Sequence, residues 1–300
     1  MSRHPVAATA EIAEEVPIMR RRRWRWRSRD NAGLYIGGVI LLLMLACALA
    51  PGLVSPGDPL ALNLAARLVP PASAGHPLGT DALGHDVWRL IVYGTRTSGL
   101  IAAVAVICAG VLGVSLGLLS GYFGGWMEIL IMRWTDIQLS FPFILLALVV
   151  LTLFGGGVTN MILILTFGGW MDFARVVRGQ VLATKNQTFV AAAVAMGAGW
   201  PRVLFRHVLP SVLSSIIVLL TLNLSINILF EAALTFLGLG ISPQTPTWGG
   251  MLSDGQVYMA TAWWITTFPG LAIMFTALAI NIVGDWLRDQ LDPRLSGGRA

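Results

Sequence analysis

The chain is poor in charge, has one lysine and only two cysteines, and each shortage closes off a class of function. Charged residues make up 12% of the sequence, against about a quarter in soluble domains. Cys47 and Cys108 both fall inside apolar runs, so neither a disulfide framework nor a zinc knuckle is available. The four histidines, His4, His76, His85 and His207, all fall outside those runs, which removes the activated serine–histidine pair that an intramembrane hydrolase needs. The lone lysine, Lys185, sits in "ATKNQ". It has neither the glycines nor the following hydroxyl of a GxxxxGK[ST] phosphate loop, so this chain does not bind ATP in that way.

What is abundant is hydrocarbon. Of the 300 residues 56% are hydrophobic, and the mean hydropathy is +0.74. The apolar residues come in runs of roughly 20, the length a helix needs to cross ~30 Å of lipid. Six runs are marked, at 32–54, 98–120, 129–154, 158–173, 210–236 and 263–286. No ten-residue dyad pattern of the kind that builds membrane barrels is present. The expected fold is therefore an all-α integral membrane protein with six transmembrane helices. Its parts are a basic tail (1–31), a first span (32–54), an external loop (55–97), a transmembrane bundle of the remaining helices (98–287) and a short tail (288–300).

Basic residues set the orientation. With the amino terminus in the cytoplasm, 17 of the 20 arginines and lysines lie inside, and only Arg67, Arg89 and Arg96 lie outside. Lysine and arginine in short loops resist translocation, so both termini are expected in the cytoplasm. The run "RRRRWRWRSR" and the net charge of +5 then read as contacts with anionic lipid headgroups, not with nucleic acid. "ACALA" at 46–50 resembles a signal cleavage site, but the apolar run is longer than the usual core of about 7–15 residues, and a retained anchor is expected.

Several runs carry packing instructions. Gly113, Gly117 and Gly121 recur every four residues and form a flat stripe for close helix approach, either within the chain or to another subunit. Arg133 with Asp136, Asp172 with Arg175, and Asp285 with Arg288 are spaced to pair within single helices. Asn223, Asn227 and Glu231 stack on one face of the fifth run. Polar groups at membrane depth face protein or water, so this stripe either lines a translocation path or bonds neighbouring helices.

The cytoplasmic stretch "FVAAAVAMGAGWPRVLFRHVLP", residues 189–210, is neither lipophilic enough to cross a bilayer nor polar enough for an ordinary loop. The spacing predicts a short helix to Met196, a break at Gly197 and Gly199, and a second helix that starts at Pro201, carries Arg202, Arg206 and His207, and ends at Pro210. A bent helix pair of this kind suits a groove on a partner.

These residues resemble the EAA loop of ABC importer permeases, with Ala192, Ala193, Gly197, Leu209 and Pro210 in the family's fixed places. "HPLGTDALGHDVWRLIVYGTRTS", "GYFGGWMEILIMRWTDIQLSFP", "EAALTFLGLGISPQTPTWGGMLSDG", "FPGLAI" and "GDWLRDQLDPRL" are similar to blocks of the dipeptide, oligopeptide and nickel branch. Their order resembles the C-type member of the permease pair. The resemblance implies a non-catalytic subunit of the bacterial inner membrane that forms half of a path for dipeptides or oligopeptides, with nickel or another small solute as the alternative cargo. It implies a second permease, two cytoplasmic ATPases that hold the ATP and magnesium, and an external solute-binding protein. The coupling loop, about 174–210, would present Ala191, Ala192, Ala193, Gly197, Arg202, Arg206, Leu209 and Pro210 to an ATPase. Two departures stand out: Ala191 replaces the motif's opening glutamate, and His85 replaces the arginine of the external block. Loop structure is expected to account for His76, Asp81, His85 and Asp86 without a metal. The segment 238–262, which has no basic residue, is expected to form, with the first external loop, a docking face for the binding protein. An ion-coupled carrier working through Glu231 is the rival outside the family.

Overall fold

The computed structural model describes residues 30–291. The arginine-rich tail and the last basic residues, Arg294 and Arg299, lie outside the described residues. The described chain is helical, and its only bridges between extended segments are Ser73 with His76 and Thr80 with Asp86. In order the helices are α1 (Asp30–Leu49), α2 (Pro51–Val54), α3 (Val87–Phe123), α4 (Gly125–Leu139), α5 (Phe143–Phe154), α6 (Val158–Thr184), α7 (Thr188–Ala195), α8 (Trp200–Val203), α9 (Leu209–Phe236), α10 (Trp248–Gly255) and α11 (Trp264–Leu291). Four helical stretches are long and apolar enough to cross a membrane, and a bent pair makes a fifth. The apolar part of α1, Gly33–Leu49, is shorter.

The second apolar run is longer as a helix than as a run. Asp86 accepts a hydrogen bond from the Arg89 amide at 3.0 Å and so caps α3 eleven residues before the run begins. The resulting 37 residues, at 1.5 Å each, span about 55 Å, well beyond the hydrocarbon thickness. Gly124, at φ +66°, ends the helix.

Its glycine stripe packs inside the chain, against α6. A methyl group on Gly113 would stand 2.1 Å from the Trp170 carbonyl, one on Gly117 2.7 Å from the Ala174 carbonyl, and one on Gly121 2.7 Å from the Val181 Cβ. Lipid offers helices little hydrophobic reason to associate, so this close van der Waals fit supplies the attraction. Around it pack Val106, Ala109, Trp170, Phe173 and Ala174.

The third run is not one helix. α4 and α5 meet at 87°, because Pro142 has no amide hydrogen and crowds the residue before it out of the helical region. The Ser140 amide closes α4 on Asp136 and Ile137. The expected pairs within single helices are also replaced. Arg175 of α6 reaches across to Asp136 of α4, and Arg178 to Glu128, so these ions bind two helices together. No ion pair joins Asp172 to Arg175 or Asp285 to Arg288 among the described residues. Side chains extending toward a neighbouring helix find better partners than their own neighbours three residues on.

Gly113→Ala is expected to lower the thermal melting point of the purified protein, since backbone oxygen leaves the methyl no room; overpacking costs about 1–3 kcal/mol. Gly99→Ala on the same helix meets nothing within 4 Å and should keep or raise it, by about 0.5–1 kcal/mol of helix propensity.

Candidate functional site

Two places collect the chemistry that the sequence singles out: the α7–α8 turn and a polar cavity beside α9.

The turn closes in two hydrogen bonds. The Ala198 amide donates to the Ala193 carbonyl at 3.0 Å and the Gly197 amide to Val194 at 2.9 Å, the pattern of a Schellman stop. Gly197 sits at φ +84° with open space where a Cβ would be, so glycine is required there by backbone conformation alone. Gly199 caps α8 in an extended conformation, and Pro201 occupies its first turn. Val190 faces inward onto Leu118, Val177, Val181, Val203 and Leu204, and Ala193 is buried too. Ala191, Ala192, Gly197, Arg202 and Arg206 face outward, as do Phe189, Val194 and Met196, the last 82% exposed. A cleft of about 440 Å³ lies between the two helices, lined by Ala193, Met196, Ala198, Arg202, Arg206 and His207. The Lys185 ammonium donates to the Gly121 carbonyl at 2.9 Å, and Phe123 meets Trp200 edge-on at 5.4 Å. The turn is thereby braced to the end of α3.

Pro210 does not end the second helix. From Trp200 the helix runs unbroken to Phe236, through a π turn at Leu204–Val208 in which the Leu209 amide bonds five residues back to Leu204. The wider turn makes room for a proline ring whose clash would otherwise fall on the preceding turn. Leu209 and Pro210 therefore join the turn to α9 as one rod.

The cavity, about 310 Å³, lies at the α4–α5 break and is closed by α6 and α9. Asn223 and Asn227 line it together with Gln138 and Asp172. Asn223 donates to the Leu219 carbonyl at 3.1 Å. Asn227 is 3% exposed, and its Nδ2 has no partner. Glu231 does not line the cavity. It is wholly buried on a part of α9 that faces α3 and α10, where the Thr235 hydroxyl donates to its Oε1 at 3.2 Å. The stripe thus divides, with two amides at the cavity and the carboxyl in the packing. Sequence reasoning missed Gln138 and Asp172; the "SFP" break in an apolar run was the signal that a cavity could open there.

On the opposite side the segment 55–86 folds back onto α10 and α11. The Trp264 indole donates to the Thr80 carbonyl at 3.0 Å, while the Thr80 hydroxyl donates to Ala66 at 2.5 Å and accepts from the Val69 amide at 2.8 Å. His76 donates to Asp86 at 2.8 Å and His85 to Asp81 at 2.7 Å. Each imidazole is thus held by one carboxylate, and no group of three ligand-type side chains that could hold a metal ion occurs among the described residues. Trp248 is buried, its indole donating to the Ile91 carbonyl at 3.2 Å, so it anchors α10 and offers no docking contact. Asp254 stays exposed at a cleft of about 200 Å³ shared with Asp81 and His85.

Burial pushes the Asp254 carboxyl above its ordinary value and nearby Asp81 adds to this, with His85 opposing. A raised carboxyl favours the folded state at low pH, and that contribution is lost as pH rises through the raised value. Asp254→Asn should therefore leave the melting temperature unchanged below the ordinary pKa of 3.8 and raise it at neutral pH.

Residues 113–297 match the family described as binding-protein-dependent transport system inner membrane component. The chain is 43% identical over 277 residues to the dipeptide transport system permease protein of Escherichia coli, covering 91% of this chain and 92% of that protein. It is 39% identical over 272 residues to the glutathione transport system permease protein of Pectobacterium atrosepticum, covering 91% and 90%. The di/tripeptide transport system permease protein of Pseudomonas aeruginosa is 39% identical over 276 residues, covering 90% and 91%.

Proposed function

The chain belongs to the binding-protein-dependent transport system inner membrane components, and from that premise we propose that it forms half of the path of a bacterial ABC importer for short peptides. Family membership sets aside the ion-coupled carrier. The relatives named for dipeptides, di- and tripeptides and glutathione support a cargo built of amide-linked residues with charged ends.

In this reading the six spans are α1, α3, the bent α4–α5 pair, α6, α9 and α11, with both termini in the cytoplasm. The α7–α8 turn then lies on the cytoplasmic side and docks on an ATPase subunit. One observation carries the mechanism: the turn continues without a break into α9, the helix that presents Asn223 and Asn227 to the cavity. A push on Ala191, Ala192 and the outward face of α8 is transmitted along a rod, not absorbed in a loop. A second permease completes the path, a second ATPase serves it, and the external loop with α10 receives the solute-binding protein. Ala191 has no carboxylate to offer, so shape and the exposed apolar side chains Phe189, Val194 and Met196 provide the docking contact. Arg202 and Arg206 add positive charge beside it.

Gly197→Val forces a β-branched residue into a left-handed conformation, at a cost of about 1–3 kcal/mol, and tilts α7 on α8. The assembled importer carrying it is expected to insert normally but to lose several-fold in ATP hydrolysis stimulated by the loaded binding protein. Normal stimulation in that variant would refute the lever.

A further inference from the structure

The cavity holds more polar capacity than the helices around it use. Gln138 is spent on the protein: its Nε2 donates to the Phe167 carbonyl at 2.5 Å and its Oε1 accepts from the Trp170 indole at 3.1 Å. It pins α4 to α6 and has little left for a ligand. Asn223 has used one amide hydrogen on the Leu219 carbonyl, and its oxygen is free to accept. Asn227 has the opposite surplus, a buried Nδ2 donor with no acceptor, and leaving such a group unpaired costs about 1–3 kcal/mol.

The charge is unbalanced in the same way. The arginine one turn beyond Asp172 is Arg175, and it is committed elsewhere, to Asp136 and to the Thr135 hydroxyl. Arg178 is committed to Glu128. Asp172 lines the cavity with no ion-pair partner among the described residues. The cavity therefore offers a carboxylate and an amide oxygen that want hydrogen-bond donors, preferably cationic ones, and an amide nitrogen that wants a carbonyl. Its volume of about 310 Å³ falls at the lower end of small-molecule sites, about 300–1,000 Å³.

We propose that this cavity is a transit site for the free amino end of the cargo, with Asp172 as counter-ion of the primary ammonium, Asn223 Oδ1 accepting a second of its hydrogens, and Asn227 Nδ2 donating to the first peptide carbonyl. The proposal rests on the peptide-importer reading and adds that the permease itself, apart from the receptor that delivers the solute, reads one chemical end of it. An ammonium and the carbonyl two bonds beyond it are the pairing that these surplus groups complement. Cargo without a free amine gives the Asp172 carboxylate no hydrogen-bonded cation in the cavity, and charge-assisted hydrogen bonds are the stronger ones. The contacts are few, so affinity stays low enough for the solute to leave.

The test uses the assembled importer, this chain with its second permease and both ATPases, in lipid nanodiscs without the binding protein. Equilibrium binding of radiolabelled diglycine is compared with that of N-acetyl-diglycine. The unsubstituted complex should bind diglycine about tenfold more tightly, the order expected of one charge-assisted hydrogen bond. Asp172→Asn should abolish the preference, Asp172→Glu should retain part of it, and Asn227→Ala should weaken both probes alike. Asn227→Asp, which exchanges the Nδ2 donor for a carboxylate, should weaken N-acetyl-diglycine and so sharpen the preference for diglycine. No measurable diglycine binding, equal binding of the two probes, or an unchanged preference in Asp172→Asn or in Asn227→Asp overturns the proposal. Hydrolysis stimulated by loaded receptor is measured on the same preparation. If it is present while the amine preference is absent, the transit site alone is wrong; if it is absent too, the importer reading fails with it.

Discussion

The contact on which the rest of the molecule depends is the backbone approach of α3 to α6. Three glycines four residues apart clear the α3 side of the contact, and carbonyl oxygens of Trp170 and Ala174 with the Cβ atoms of Phe173, Val177 and Val181 occupy the space. In lipid there is no water to drive helices together, so attraction comes from contact at short range, and short range requires glycine. With those two helices fixed, α6 sets the position of Arg175 and Arg178, which hold α4, and of Asp172, which lines the cavity that α4 and α9 share with it. The far end of the same pair receives Lys185 and Trp200 and so orients the α7–α8 turn.

Proline has opposite effects in two places for one physical reason. At Pro142 the missing amide and the ring close one helix and let the chain leave at nearly a right angle, which opens the polar cavity. At Pro210 the same ring is taken up by a π turn, and the helix survives as a rod from the turn to the membrane interior. The first proline opens a cavity; the second leaves the helix continuous.

Polar groups inside the bundle fall into two kinds. Gln138 and Glu231 are buried, Gln138 pinned to α6 and Glu231 packed away from the cavity lining, joined through Oε1 to Thr235 on its own helix with its Oε2 unpaired. Asn223, Asn227 and Asp172 keep unused hydrogen-bonding capacity toward one cavity. Burial alone does not separate the two kinds, since Glu231 at 0% and Asn227 at 3% exposure are nearly equal. What separates them is which neighbouring helix faces each one.

Much was legible along the chain because lipid imposes a one-dimensional rule. An apolar run of sufficient length must be helical, and glycine or proline in it marks a stop or a close contact. The turn at Gly197 and the glycine stripe followed from local chemistry of this kind. The helix–turn–helix of 189–203 could be read for the same reason, since its residues are contiguous. The ion pairs could not: Asp136 and Arg175 are joined by the packing of α4 on α6, and spacing within one helix pointed to other partners. Nor could Asp172, which in sequence is an acid beside an arginine and is left without a direct ion pair when that arginine turns to Asp136 on another helix. The amino-acid order determined which segments are helices and where they bend. Only the tertiary structure decided which polar groups are spent on one another and which are left for a solute, because that depends on distances between residues far apart in the chain.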